Sequence, residues 1–163
     1  QECLISCRSR DYAPQEVSKL SQLMLVASDI ERISDYAENI AEYEGEFKER
    51  KAALSEKARE ELRALTEASL KSIDYSLRIF EQEDFHSLPK ADTLEQKVDD
   101  LQTDFINNHI QRLMNNECDP GGGVLFTDMV NDLERCSDHA INIAYALFEH
   151  ADSRNTLSRN ALP

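Results

Sequence analysis

The chain has few of the residues that punctuate a fold. Its 163 residues include four glycines and four prolines, too few to end the many short strands of a sandwich or barrel. Glu, Ala, Leu, Lys and Arg dominate between these breakers, so long helices follow. Cysteine is equally sparse. Cys3, Cys7, Cys118 and Cys136 cannot make the disulfide framework of a secreted scaffold and fit a reducing compartment. Cys3 and Cys7 share one helix face, but a zinc site needs a second such pair, so they read as buried or incidental thiols. No apolar run approaches the roughly 20 residues that span a bilayer; Leu23 to Ala27 is among the longest. No secretory signal opens the chain, which reads as a soluble piece beginning without Met and inside a structural element. Positive charge is short too: 18 Lys and Arg stand against 32 Asp and Glu, a formal net charge of −14. That balance repels a phosphate backbone and argues against nucleic acid as a partner. It attracts cations and basic surfaces, beside its plain effect of keeping a helical protein soluble.

What the sequence does contain is a repeat. Asp29 to Ala41 reads DIERISDYAENIA, and 103 residues on, Asp132 to Ala144 reads DLERCSDHAINIA. Asp, Glu, Arg, Ser, Asp, Ala, Asn, Ile and Ala agree in register. Self-similarity at one fixed distance marks two copies of one structural unit.

Cys3 to Arg8 reads as the last turns of a helix, broken by Asp11-Tyr12-Ala13-Pro14. A long helix is then predicted from about Pro14 to Tyr43, with Leu20, Leu23, Ala27, Ile30, Ala37 and Ala41 as its apolar stripe and Gly45 as its terminator. Glu46 to Ala53 reads as a charged link. Ser55 N-caps a second helix whose buried side is Ala58, Leu62, Leu65, Ile73, Leu77 and Phe80. The Ser87-Leu88-Pro89 turn leads antiparallel into a third, carrying Leu94, Val98, Leu101, Phe105, Ile110 and Leu113. Asp119-Pro120-Gly121-Gly122-Gly123 ends it as a flexible turn, and a fourth helix follows over about Val124 to His150. The predicted class is all-α, an antiparallel helical bundle. It forms one domain over residues 1–150, with a partial first repeat (1–45) and a complete three-helix second repeat (54–150), before a flexible polar tail, 151–163. Moved back by the repeat distance, Glu95 falls before residue 1, so the first unit is truncated.

Glu31 and Asp35 are four residues apart, which on a helix is a displacement of only ~40°. They form an acidic edge at the margin of the apolar stripe, and Asn39 extends it. Glu134 and Asp138 repeat this edge with Asn142 in the place of Asn39, and Glu95 and Asp99 make a third pair. Surface acidity ordinarily occupies the far side of a helix. With the third helix beside the fourth, two edges converge, and four close carboxylates repel one another unless protonated or bridged by a cation. Oxygen ligands suit Mg²⁺, Ca²⁺, Mn²⁺ or a carboxylate-bridged iron cluster. The plainer alternative is salt bridging to Arg32, Arg135 or nearby lysines, with the Asn residues bonding locally. It suffices for an isolated Glu-x-x-x-Asp; the repeated window favours metal.

Other signals are weaker. Glu83 and His86 have the Glu-x-x-His spacing of di-iron bundles, but at a helix end and without a second copy. His109, His139 and His150 read as partly exposed or hydrogen-bonded, with His139 next to Asp138 and able to join an outer shell. The glycines before the fourth helix have no adjacent Lys or Arg for an anion site. No Gly-x-Ser-x-Gly, nucleotide loop or Ser/His/Asp arrangement supports a hydrolase or transferase.

At these residues the chain resembles the PhoU family, whose hallmark is a six-helix domain of two three-helix bundles carrying Glu/Asp-x-x-x-Asp motifs. DIERISDYAENIA and DLERCSDHAINIA look like the two third-helix motifs, and LEQKVDDLQ, Leu94 to Gln102, like the second-helix motif of the second unit. The Asp-x-Glu-Arg-x-x-Asp version, with the chain ending soon afterwards, is more similar to the PhoU-like C-terminal region of bacterial sodium/phosphate cotransporters than to free-standing PhoU. The resemblance implies a non-enzymatic regulatory or scaffolding role in phosphate uptake. It places the domain on the cytoplasmic face of the membrane, partnered by the membrane portion of the same parent chain. It also implies multinuclear metal clusters, commonly iron or zinc. Carried over residue by residue, Glu95, Asp99, Glu134 and Asp138 would supply the second-unit site, and Glu31 and Asp35 half of the first. Upstream chain or a second copy would have to complete that half, and the apolar surface left on the truncated unit suggests a homodimer. Two other function classes stand beside this one. A carboxylate-bridged metalloenzyme is disfavoured by the lack of paired Glu-x-x-His motifs; a metal-free structural interaction module is the other.

Overall fold

A computed structural model describes residues 13–146. They form α1 (Pro14–Arg50), α2 (Glu56–Gln82), a 3-10 turn at Phe85–Ser87, α3 (Leu88–Met114) and α4 (Pro120–Tyr145), with no strand among the described residues. The class is all-α. The helical remnant expected at Cys3 to Arg8, the expected continuation of the fourth helix to His150 and the expected tail, 151–163, lie outside the described residues.

Gly45 does not end the first helix, and most of the expected charged link is helical. The Glu44–Lys48 ion pair, at 2.6 Å, bridges the glycine, and Glu46–Arg50, at 2.5 Å, supports the turn that follows it, with basic residues in the last turn where the helix dipole favours them. A lone glycine costs a helix only about 1 kcal/mol, which this support offsets. Lys51, left-handed at φ 51°, ends α1 instead. Ser55 caps α2 as expected, its side chain accepting from the Ala58 amide.

The glycine run is not a flexible turn. Pro120 and the glycines are the first turn of α4, capped by Asp119, whose carboxylate accepts from the Gly122 amide at 2.8 Å. A Cβ on Gly122 would lie 2.4 Å from the Ala53 carbonyl oxygen, and one on Gly123 would lie 2.5 Å from the His109 ring. These glycines let the start of α4 press against the α1–α2 connection and α3.

Within the α2–α3–α4 unit, α3 runs antiparallel to both neighbours. Glu61 meets Arg112 across α2 and α3, and Gln102 meets Asn131 across α3 and α4. Ser72 and Ser137 join the parallel α2 and α4 through a 2.8 Å hydroxyl hydrogen bond. The core of Leu62, Leu65, Val98, Phe126, Val130 and Leu133 lies between the three helices.

The buried faces differ in part from the expected ones. On α2 the core side continues from Leu65 through Ser69, Ser72 and Ser76 to Ile79. Leu77 is exposed, and Ile73 and Phe80 are only half-buried. Small hydroxyls at the seam admit close approach of α4, as the Ser72–Ser137 bond shows. On α3 the seam passes to His109 and Arg112, leaving Ile110 and Leu113 exposed. Arg112 is tolerated there because it pairs with Glu61 at 2.7 Å and lies over the Phe126 ring.

α1 packs chiefly on α4 and runs antiparallel to it, but with a face the apolar pattern did not select. Val26 is its buried residue, in line with Asp29, Ile33, Tyr36, Ile40 and Tyr43. The expected stripe lies largely outward: Ile30 is 52% exposed, and Ala37 and Ala41 are also exposed. Residues repeating alternately at three and four produce two such faces, and polar partners decide between them. Asp29 meets His139 at 2.9 Å, and the Tyr43 hydroxyl donates to Asp132 at 2.8 Å. Equivalent positions of the two windows touch each other: the Cys136 thiol approaches the Ile33 carbonyl, and Tyr36 stacks on His139 with ring centroids 5.8 Å apart. The two copies of the repeat therefore pair around a local two-fold axis.

Candidate metal centre

The acidic site follows from the packing of α3 on α4. Leu94 and Val98 face the core, so Glu95 and Asp99 stand one position round from the seam. Leu133 and Ser137 are likewise buried, and Glu134 and Asp138 stand next to them. Because the helices are antiparallel, the pairs meet. Glu95, Asp99 and Asp138 each offer a carboxylate oxygen within 4.8 Å of the others. Glu134 stands beside them, hydrogen-bonded to Asp138 and within range of the Asp99 charge. All four carboxylates are half-buried.

The electrostatics reflect crowding. Burial, reinforced by Asp99 and Asp138, pushes the Glu95 carboxyl up to about 7. Glu134 is also pushed up to about 7, by burial first and then by Asp138 and Asp99, with Arg135 opposing weakly. Asp99 is raised by burial and by Asp138, against a lowering hydrogen bond with Glu95. One oxygen of Asp99 is buried without any hydrogen-bond partner. Among the described residues no Lys or Arg makes an ion pair with any of the four: Arg135 turns to Asp132 at 3.9 Å and over the Tyr36 ring. The salt-bridge alternative is not built for Glu134.

Glu31 and Asp35 are elsewhere. They are exposed on the outward side of α1, lining a shallow depression with Ala27, Ile30 and Ser34. Among the described residues no third ligand-bearing side chain joins them. Asn39 does not extend their edge; its amide donates to Asp132 at 3.4 Å. Asn142 is exposed in a separate depression beside Gln22 and Leu25. His139 turns away from the acidic cluster to Asp29 and Tyr36. His109 is buried rather than partly exposed, with its ring lodged against Gly123 and Phe126. Glu83 is the exposed C-cap of α2, and neither it nor His86 joins a metal-ligand group among the described residues.

Sequence reasoning missed Asp132, Tyr43 and the Glu61–Arg112 pair. A signal for the first existed: Asp opens both windows, and both copies, Asp29 and Asp132, reach across the α1–α4 contact. The repeat thus preserves two things at once, a helix-pairing carboxylate and an acidic edge.

The family model for the PhoU domain matches residues 2–43 and 62–147. The chain belongs to the PhoU domain family. The matched segments hold both windows and the acidic pair of α3, and they omit the stretch where α1 runs on beyond Gly45. No curated protein and no solved structure matches the chain. PhoU domains are regulatory helical domains involved in phosphate homeostasis, not a known enzyme family, and in some cases they bind metals. No helix among the described residues is long and apolar enough to cross a membrane.

Proposed function

We propose that this PhoU domain is a non-enzymatic accessory domain of a phosphate transport system that binds metal through Glu95, Asp99, Glu134 and Asp138. It would act at the cytoplasmic face of the membrane, joined to the membrane portion of a sodium/phosphate cotransporter in its parent chain. One observation carries the metal reading: the buried, unpartnered Asp99 oxygen lies within a cluster of carboxylates that makes no ion pair with a Lys or Arg among the described residues. Near-neutral titration of Glu95 and Glu134 leaves such a cluster half-protonated or self-repelling at physiological pH. A polyvalent cation relieves both conditions.

The donor set fits a hard cation. Family resemblance favours an iron or zinc cluster, and carboxylate oxygens alone also accept Mg²⁺, Ca²⁺ or Mn²⁺. Bound metal supplies positive charge shared by α3 and α4. The chain's own residues fix its position, with Leu94, Val98 and Leu133 anchoring the helices beneath the carboxylates. Glu31 and Asp35 would hold metal only with carboxylates from outside the described residues.

The test has two arms. Titration calorimetry with Fe²⁺, Zn²⁺ and Mn²⁺ should show tight binding that Asp99→Asn with Asp138→Asn removes. The same substitutions in the parent chain should alter phosphate uptake by cells at unchanged expression. Absence of tight binding by all three ions would refute the metal claim. Unchanged uptake would refute the regulatory one.

A further inference from the structure

We propose that Gln102 with Asn131 and Asp92 with Tyr145 are positioning residues for the metal centre, two clamps across α3 and α4 that hold its carboxylates at ligand spacing. The inference rests on the metal reading above. On α3, Asp92, Glu95, Asp99 and Gln102 follow one another at intervals of three, four and three and share one line along the helix. On α4, Asn131, Glu134 and Asp138 are spaced by three and four, and Tyr145 stands seven residues further on. Antiparallel packing sets the two lines against each other, so the acids meet in the middle and a hydrogen bond closes each end. The Gln102 amide donates to the Asn131 side-chain oxygen at 3.1 Å. At the other end the Tyr145 hydroxyl donates to the Asp92 carboxylate, 3.0 Å from either oxygen. Gln102 stands three residues from Asp99, Asn131 three from Glu134 and Asp92 three from Glu95, in each case about one turn or ~4.5 Å along the helix.

Core packing alone does not fix the spacing of the carboxylates. Leu94, Val98 and Leu133 are buried on the inner side of the two helices, and ionised carboxylates on the outer side push α3 and α4 apart about that inner contact. Glu95, Asp99 and Asp138 nonetheless bring oxygens within 4.8 Å of one another. A restraint on the outer side opposes the repulsion, and the two clamps span it. Their chemistry suits the task. Gln102 and Asn131 add no charge to the cluster and are half-buried, where a hydrogen bond is stronger than in water. Tyr145 engages both oxygens of Asp92, so that a fifth acid of the same line serves the clamp and stays out of the ligand group. A site held in this way is already assembled when metal arrives.

The test uses the full chain and three variants: Tyr145→Phe, Gln102→Leu with Asn131→Leu, and all three substitutions together. A fourth, Gln102→Asn with Asn131→Gln, exchanges the amides and keeps their combined reach. Calorimetry with Fe²⁺, Zn²⁺ and Mn²⁺ reads affinity, urea denaturation in chelator reads stability, and spin labels on unnatural residues at the exposed positions Gln96 and Asn142 read the α3–α4 separation. Opening each clamp should weaken metal binding several-fold and opening both by about tenfold or more, while the exchange variant should bind as the wild type does. In chelator at pH 8 the labels should draw apart when both clamps are open and return when metal is added, with the urea midpoint close to wild type. Wild-type affinity with both clamps open would overturn the proposal. So would an affinity loss that merely tracks a fall in the urea midpoint, or an exchange variant as weak as the leucine pair. Labels that do not move in chelator, in a protein whose wild type binds metal, fail the clamps alone. A wild type that binds none of the three ions fails the metal reading, and labels that still draw apart would then assign the clamps to the bundle and overturn their role at a metal.

Discussion

Asp138→Asn should make the metal-free protein more stable and the metal-loaded protein less so. Asp138 is a repulsive neighbour of Glu95, Asp99 and Glu134 together. The two glutamates titrate at about 7 rather than their ordinary 4.5. The folded state therefore holds protons more tightly than the unfolded chain, and metal-free stability falls as pH rises from 4.5 to 7. Unscreened, the gap is about 3 kcal/mol for each glutamate. Both side chains are partly solvated, and burial, the largest cause, survives the substitution. Removing the Asp138 charge should thus return on the order of 0.5 kcal/mol per glutamate, or a rise in Tm of about 2–4 °C in total. The assay is thermal denaturation at pH 8 in chelator and again with metal. A metal at a hundred times its Kd stabilises the wild type by about 2.7 kcal/mol, a Tm increase of about 5–10 °C, and the variant should lose most of it. A variant that melts below wild type in chelator, or that keeps the full metal-induced increase, would refute the reasoning.

Three further outcomes follow from the packing. Gly122→Ala should lower stability by about 1–3 kcal/mol, read by urea denaturation, because its Cβ would meet the Ala53 carbonyl at 2.4 Å; Gly45→Ala, with nothing within 4 Å, should raise it slightly. Glu61→Ala should cost about 3–5 kcal/mol by leaving Arg112 buried and unpaired, whereas Glu61→Leu with Arg112→Met should cost far less. Burial and Arg112 hold the His109 ring below its usual pKa, so it contributes stability above the unfolded value that is lost as pH falls. His109→Gln should therefore show a smaller loss between pH 7 and 5 than wild type in urea melts.

The helices and their order were legible because breakers are few and caps are explicit: Ser55 caps α2 as its residue type predicts. The convergence of Glu95 and Asp99 with Glu134 and Asp138 was legible for a related reason, since a short turn forces α3 back along α2 and leaves one side for α4. Hydropathy misled where polar residues occupy the core. Ser69, Ser72 and Ser76 hold seam positions that Ile73, Leu77 and Phe80 claimed by composition, and His109 and Arg112 displaced Ile110 and Leu113. Ser72 and Arg112 are buried with a partner from another helix, Ser137 and Glu61, and periodicity along one helix carries no information about that partner; Ser69 and Ser76 are buried without a hydrogen-bond partner for their hydroxyls. The choice of face on α1 failed in the same way. Two seams exist, and only the pairing of Asp29 with His139 and of Tyr43 with Asp132 decides which one meets α4.

Metal binding where α3 crosses α4 is tested most directly by anomalous diffraction from crystals of the protein loaded with Fe²⁺, Zn²⁺ or Mn²⁺. The expected result is an anomalous peak bonded to Asp99 and Asp138 with Glu95 or Glu134, and none at Glu31 and Asp35 of an isolated copy. No peak beside Asp99 at saturating metal, or a peak only at other side chains, would contradict it.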